Sequence, residues 1–229
     1  MKIAALASLL AATAIAAPTE MLEARQAVGN TANELEIGAC RPLILIFARG
    51  STQPGNLGDN LGPATCNQLK SAYGVSRVAC QGVGGPYSAG LLDNFAAEGT
   101  TTAAINEGIR LYNLARSKCP NSKVVSGGYS QGAAVVTGAV RRLSAASKTN
   151  LVGIVMYGST RTDEEDNADF LIGGRIPNYP AGNTLNICAP DDGVCDGGLD
   201  VTAGHSGYLD DVPTAVGFLR GRVSAAGGI

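Results

Sequence analysis

The chain has 229 residues, enough for one domain with a substantial core. Its formal net charge is −2 with a pI near 5.4, and no basic tract occurs, which excludes nucleic acid as a partner. Trp is absent and aromatics make up 5%, which weighs against a sugar-stacking binding module.

The chain opens on a short basic start, Met1-Lys2, followed by a small, apolar run from Ile3 to Ala17. Ala14-Ile15-Ala16 and Ile15-Ala16-Ala17 both fit the small-x-small pattern of signal cleavage. The run is too short for a permanent anchor, so residues 1–17 read as a secretory signal. Residues 18–33 are polar, bear acids and lack a strand pattern. They read as a propeptide or disordered N-terminus, with the folded domain over 34–229. No later stretch is long enough to span a membrane, so no integral membrane contact is expected.

Pro42 to Phe47 is a continuous apolar run, as expected for a strand buried on both faces. A helix follows over Pro63 to Tyr73, then a short strand at Arg77 to Cys80. Thr101 to Lys118 carries apolar residues at helical spacing. Threonines 100–102 are its N-cap candidates, and Cys119-Pro120 ends it. Lys123 to Ser126 is a strand, Gln131 to Leu143 a helix, and Leu151 to Tyr157 a strand. Thr184 to Cys188 is the fifth strand, and Val212 to Val223 the closing helix. This alternation predicts a single α/β domain: a mostly parallel five-stranded sheet with helices on both faces. The site of such a sheet lies at the carboxyl ends of its strands.

Six cysteines in an exported chain point to disulfides. Cys188 and Cys195 are a natural local closure, and Cys66 with Cys80 would tie a helix to the next strand. Cys40 and Cys119 then remain. No C-x-x-C pair occurs and there is one His, so no metal site is expected.

Gly128-Tyr129-Ser130-Gln131-Gly132 is a G-x-S-x-G motif. The bare pattern is weak, but here a predicted strand leads in and a predicted helix leads out. That is the strand–elbow–helix that exposes a strained serine hydroxyl. The backbone N–H of Gln131 would face a forming oxyanion, and the Gln131 side chain is a secondary candidate for that role. A serine hydroxyl needs a base, and His205 is the one imidazole available. It follows the last strand, within a small-residue loop from Thr202 to Gly207. The acid should lie between them in chain order. Asp191 and Asp192, after the fifth strand, are equal candidates on position; Asp196 and Asp200 are weaker.

Five ordered blocks resemble the fungal cutinase family of the α/β-hydrolases. They are Phe47 to Thr52, Gly55 to Gly58, Gly82 to Gly85, Gly127 to Ala133, and Cys188 to Cys195 with His205 ten residues on. The resemblance runs from Cys40 to the last helix. It implies a lidless fold and a secreted serine esterase that cleaves cutin-type aliphatic polyesters and short acyl esters. It selects Asp192 to complete a triad with Ser130 and His205. It further implies Ser51 in the oxyanion hole beside Gln131, with Asn94 holding the Ser51 hydroxyl. Leu91, Leu199 and Val201 would contact substrate. The family pairs Cys40 with Cys119 and Cys188 with Cys195, and Cys66 with Cys80 matches the extra bridge of one subgroup. The expectation is a monomer with no cofactor. Asp200, Gly204 and Ser206 depart from the family pattern toward a more polar lip. The alternatives are an acetylxylan esterase or short-chain lipase of the same fold, or a binding protein with a vestigial triad.

Overall fold

The computed structural model describes residues 27–160, 176–195 and 198–229. The expected signal segment, the first part of the propeptide reading and Asp196 lie outside them.

Among the described residues, five strands form one parallel sheet in the order β2-β1-β3-β4-β5. They are β1 (Leu43–Ala48), β2 (Val78–Gly82), β3 (Lys123–Tyr129), β4 (Leu151–Tyr157) and β5 (Thr184–Ile187). The longer helices are α2 (Leu61–Tyr73), α3 (Thr102–Lys118), α4 (Gln131–Arg142) and α7 (Val212–Ala225). Three short ones join them: α1 (Glu34–Ile37), α5 (Ala145–Lys148) and α6 (Ala203–Ser206).

Every residue of β1 is buried because both sheet faces are covered. Side chains alternate across the pleat. Ile44, Ile46 and Ala48 enter the core under α3 and α4. Leu43, Leu45 and Phe47 enter the core under α2 and α7. The chain leaves β1 toward β2 on one side and β3 toward β4 on the other, so β1 and β3 flank the point where strand order reverses. A crevice opens there at the carboxyl ends.

Element boundaries differ from the sequence expectation in instructive ways. Helix α2 begins at Leu61, before Pro63. A first-turn N–H has no intrahelical acceptor, so proline there costs the helix nothing. Strand β3 runs on through Gly127, Gly128 and Tyr129, which pair with β1 and β4. Small residues suit that stretch: a β-carbon on Gly127 would lie 2.6 Å from the Phe47 ring.

Residues 28–33, expected within a propeptide or disordered N-terminus, hydrogen-bond to the domain. Val28 exchanges two hydrogen bonds with the Asn67 side chain, at 2.8 and 3.1 Å. The Asn30 carbonyl accepts from the N–H groups of Asn56 and Leu57. Ala32 donates to Asn56 Oδ1 and accepts from Gly82 N–H. These partners are distant in sequence, so no local pattern betrays the segment's order.

Three disulfides close the fold: Cys40–Cys119, Cys66–Cys80 and Cys188–Cys195. No helix among the described residues is long and apolar enough to cross a membrane.

Candidate active site

Ser130 stands on the turn between β3 and α4, at the sheet's carboxyl edge beside the end of β1. Its backbone has φ +54° and ψ −123°, a conformation costing about 1–3 kcal/mol for a residue with a β-carbon. Two hydrogen bonds hold it: Ser130 N–H to the Tyr157 carbonyl and Ala133 N–H to the Ser130 carbonyl, both 2.9 Å. Flanking side chains would not fit. A β-carbon on Gly128 would lie 2.6 Å from the Gly132 carbonyl oxygen, and one on Gly132 would lie 2.1 Å from that of Ala48.

His205 Nε2 lies 3.0 Å from Ser130 Oγ, and its Nδ1 lies 2.8 Å from Asp192 Oδ2. His205 and Asp192 are buried. Burial would push the Asp192 carboxyl up, but hydrogen bonds from Tyr208, His205 and Val194 N–H outweigh it and hold the group below the ordinary carboxylate value. Asp192 is therefore an acceptor, and the imidazole proton sits on Nδ1. The Nε2 lone pair then faces the serine hydroxyl. The arrangement can pass a proton from the Ser130 hydroxyl to the imidazole, with a carboxylate placed to stabilise the imidazolium.

Asp191, the equal candidate on position, is exposed and does not bond the imidazole. Its carbonyl accepts from Thr202 Oγ1. Its carboxylate occupies the space where a β-carbon at Gly204 would point, 2.3 Å away. Asp200 is also exposed. The segment around His205, expected as a loop, forms one helical turn, α6. Tyr129 Oη anchors it by donating to the His205 carbonyl at 2.8 Å, while the two rings stack 5.2 Å apart.

Ser51 follows β1 and lines the same groove as Ser130. Asn94 Nδ2 donates to Ser51 Oγ at 2.9 Å and to the Leu91 carbonyl at 2.8 Å. An amide NH₂ only donates, so the Ser51 proton is free to point elsewhere. Gln131 opens α4, and its N–H has no intrahelical acceptor. Its side chain is fully buried and donates to the Gly90 carbonyl at 2.8 Å, away from the groove. The secondary role considered for that side chain is not supported.

Arg49 braces this loop from behind. The buried guanidinium donates to the carbonyls of Gln53, Val83, Tyr87 and Ser88 and lies over the Tyr87 ring. It thereby joins the Ser51 turn to the segment leading into the 3-10 turn Leu91–Phe95.

The groove above Ser130 has a volume of about 470 Å³. Leu91, Leu92 and Phe95 form one lip, and Leu199 and Val201 the other; all five are exposed. Leu92 and Phe95 were not anticipated. Their spacing around Leu91 on a short helical turn was the available signal.

Sequence reasoning also missed Gly158 and Tyr208. Gly158 follows β4 directly with φ +53°, where a β-carbon would lie 2.8 Å from Asp192 Oδ2 and 2.9 Å from His205 Nδ1. Tyr208, buried, donates to Asp192 Oδ2. Its position three residues after His205, one helical turn on, was the only local hint.

Comparison with known proteins gives a consistent picture. A family model described as Cutinase matches residues 39–223. The "Probable cutinase 1" of Aspergillus niger is 46% identical over 97% of this chain and 83% of its own length. A Trichoderma reesei cutinase, solved with a C11Y4 phosphonate inhibitor, superposes with a TM-score of 0.69. It is 30% identical and covers 89% of this chain and 84% of its own. The catalytic core of a T. reesei acetyl xylan esterase shares the fold, with a TM-score of 0.64 at 17% identity. It covers 80% of this chain and 99% of its own.

Proposed function

The chain belongs to the cutinase family, and from that premise we propose a secreted, monomeric serine esterase acting on cutin-type aliphatic polyesters and short acyl esters. The observation that carries the proposal is the line Ser130–His205–Asp192 at the floor of an apolar groove. Three disulfides support export into an oxidising compartment. Outside the groove, the exposed large apolar side chains among the described residues are Ile37 and Leu209, on separate elements, which supports a monomer.

Ser130 Oγ attacks the ester carbonyl as His205 Nε2 takes its proton. The tetrahedral oxyanion is held by the N–H groups of Ser51 and Gln131 and by the Ser51 hydroxyl, which Asn94 leaves free to donate. A preformed hole of this kind is commonly the largest contribution to the rate. The intermediate collapses to an acyl-enzyme, and the departing alkoxide takes the proton from His205. Water then attacks the acyl carbon, giving its proton to His205, and Ser130 recovers it as the acid leaves. Every step uses side chains and backbone of this chain.

The exposed apolar lips suit the methylene chain of an aliphatic polyester. Hydrolysis of p-nitrophenyl butyrate and of purified cutin by wild type and Ser130→Ala tests the proposal. Both activities should vanish in the variant. A variant keeping a tenth of the wild-type rate overturns it. Acetate release from xylan exceeding butyrate ester hydrolysis would move the assignment to an acetylxylan esterase. Light scattering after size exclusion tests the monomer.

A further inference from the structure

We propose that Tyr208 is a positioning residue that acts through Asp192, its hydroxyl sharing with His205 the carboxylate oxygen Oδ2. This rests on the triad reading above and extends it.

The geometry fixes the direction of the Tyr208 proton. Ala189 N–H donates to Tyr208 Oη at 3.0 Å. A backbone amide can only donate, so the phenol proton is turned to Asp192 Oδ2, its acceptor. The carboxylate then accepts three hydrogen bonds: Oδ1 takes Val194 N–H at 2.9 Å, and Oδ2 takes His205 Nδ1–H and Tyr208. Two donors on one oxygen divide its negative charge. Tyr208 thereby limits how strongly Asp192 holds the imidazolium proton, and it keeps a buried carboxylate ionised.

Tyr208 also ties the two catalytic segments together. It sits three residues beyond His205, yet touches the acid loop at Ala189, Asp192 and Cys195. Its ring meets the His205 ring edge-on at 6.4 Å and the Tyr157 ring at 6.2 Å. The titratable groups against the His205 and Asp192 side chains are Tyr129 from β3 and Tyr208, with Tyr157 of β4 behind it. Burial and the bond to Asp192 push the Tyr208 phenol well up, so it remains a donor across the working range.

The test is the pH profile of kcat/KM on p-nitrophenyl butyrate for wild type, Tyr208→Phe, Asp192→Asn and the double variant. Deleting the hydroxyl should lower kcat roughly ten-fold, with KM within about two-fold, through loss of a hydrogen bond to a charged group. The acid limb should move up by about half a pH unit, because the freed carboxylate holds the imidazolium proton more tightly. In the Asp192→Asn background, the same deletion should change kcat by less than about two-fold. A variant containing 2,3-difluorotyrosine at 208 keeps the ring and strengthens the donor, so it tests the idea even if the Phe variant does not fold. Its acid limb should move down. An unmoved limb in both variants, or a Tyr208→Phe effect undiminished in the Asp192→Asn background, overturns the Tyr208 proposal alone. Full activity in Asp192→Asn would instead overturn the triad.

Discussion

Replacing Gly158 with alanine puts one methyl group beneath the acid–base pair. The new β-carbon would stand 2.8 Å from Asp192 Oδ2 and 2.9 Å from His205 Nδ1 and Cε1. Ordinary contact begins near 3.4 Å, so the acid must retreat by about 0.6 Å and the imidazole by about 0.5 Å. The His205 Nε2 to Ser130 Oγ distance is 3.0 Å, and a retreat of about 0.5 Å from the serine exceeds the limit for proton transfer, about 3.2 Å. Displacement of about 1 Å in such constellations costs roughly 10²-fold, so kcat should fall roughly 10- to 100-fold. KM should hold within about two-fold, since the groove lips are untouched. The backbone adds a second effect, because alanine at φ +53° costs about 1–2 kcal/mol. For a chain of this size that lowers Tm by roughly 2–8 °C. Steady-state kinetics and calorimetry on one preparation read both. Gly217→Ala is the control: it lies within α7 with open space around its β-carbon, so it should leave kcat unchanged. A Gly158→Ala enzyme with more than half the wild-type kcat would refute the packing argument.

Ser51→Ala should lower kcat by roughly 10²-fold, the scale of one lost oxyanion donor, and Asn94→Ala by less; p-nitrophenyl butyrate turnover checks both. Removing the Cys188–Cys195 bridge with paired alanines should cost about 2–3 kcal/mol from loop closure, and it should reduce kcat because the loop carries Asp192. Urea unfolding beside kinetics separates the two effects. Leu199→Asp, on the exposed lip, should depress release from solid cutin more than hydrolysis of a soluble butyrate ester; equal losses would argue against a surface role for the lip. The Asp192 carboxyl is held below its unfolded value of about 3.9. Its bonds therefore stabilise the fold above about pH 4, and that contribution is lost as pH falls through the native value. The Tm advantage of wild type over Asp192→Asn should be present at pH 7 and shrink below pH 4.

The sheet, its covering helices and the tight turn at Ser130 were legible because their signals are local. β1 announces itself by an unbroken apolar run, and Ser130 by glycines whose absence of side chains the turn demands. The choice of Asp192 over Asp191 was not local. Both sit in one polar turn, and only the fold decides that one carboxylate turns inward to His205 while the other meets Gly204. The family resemblance supplied that choice. Tyr208, Gly158 and Arg49 act through backbone and side chains brought together across the sheet, so periodicity could not reveal them. The contacts of residues 28–33 were hidden for the same reason: they are made to Asn56, Asn67 and Gly82.

The most direct measurement follows a phosphonate ester that forms one covalent bond with an activated serine. Mass spectrometry of the labelled protein should find a single adduct, on the peptide containing Ser130, with one equivalent of leaving group released. The His205→Ala protein, still folded by calorimetry, should label at least about 10³-fold more slowly, as expected for loss of a triad member. An adduct elsewhere, or labelling of the His205→Ala protein at the wild-type rate, would contradict the account.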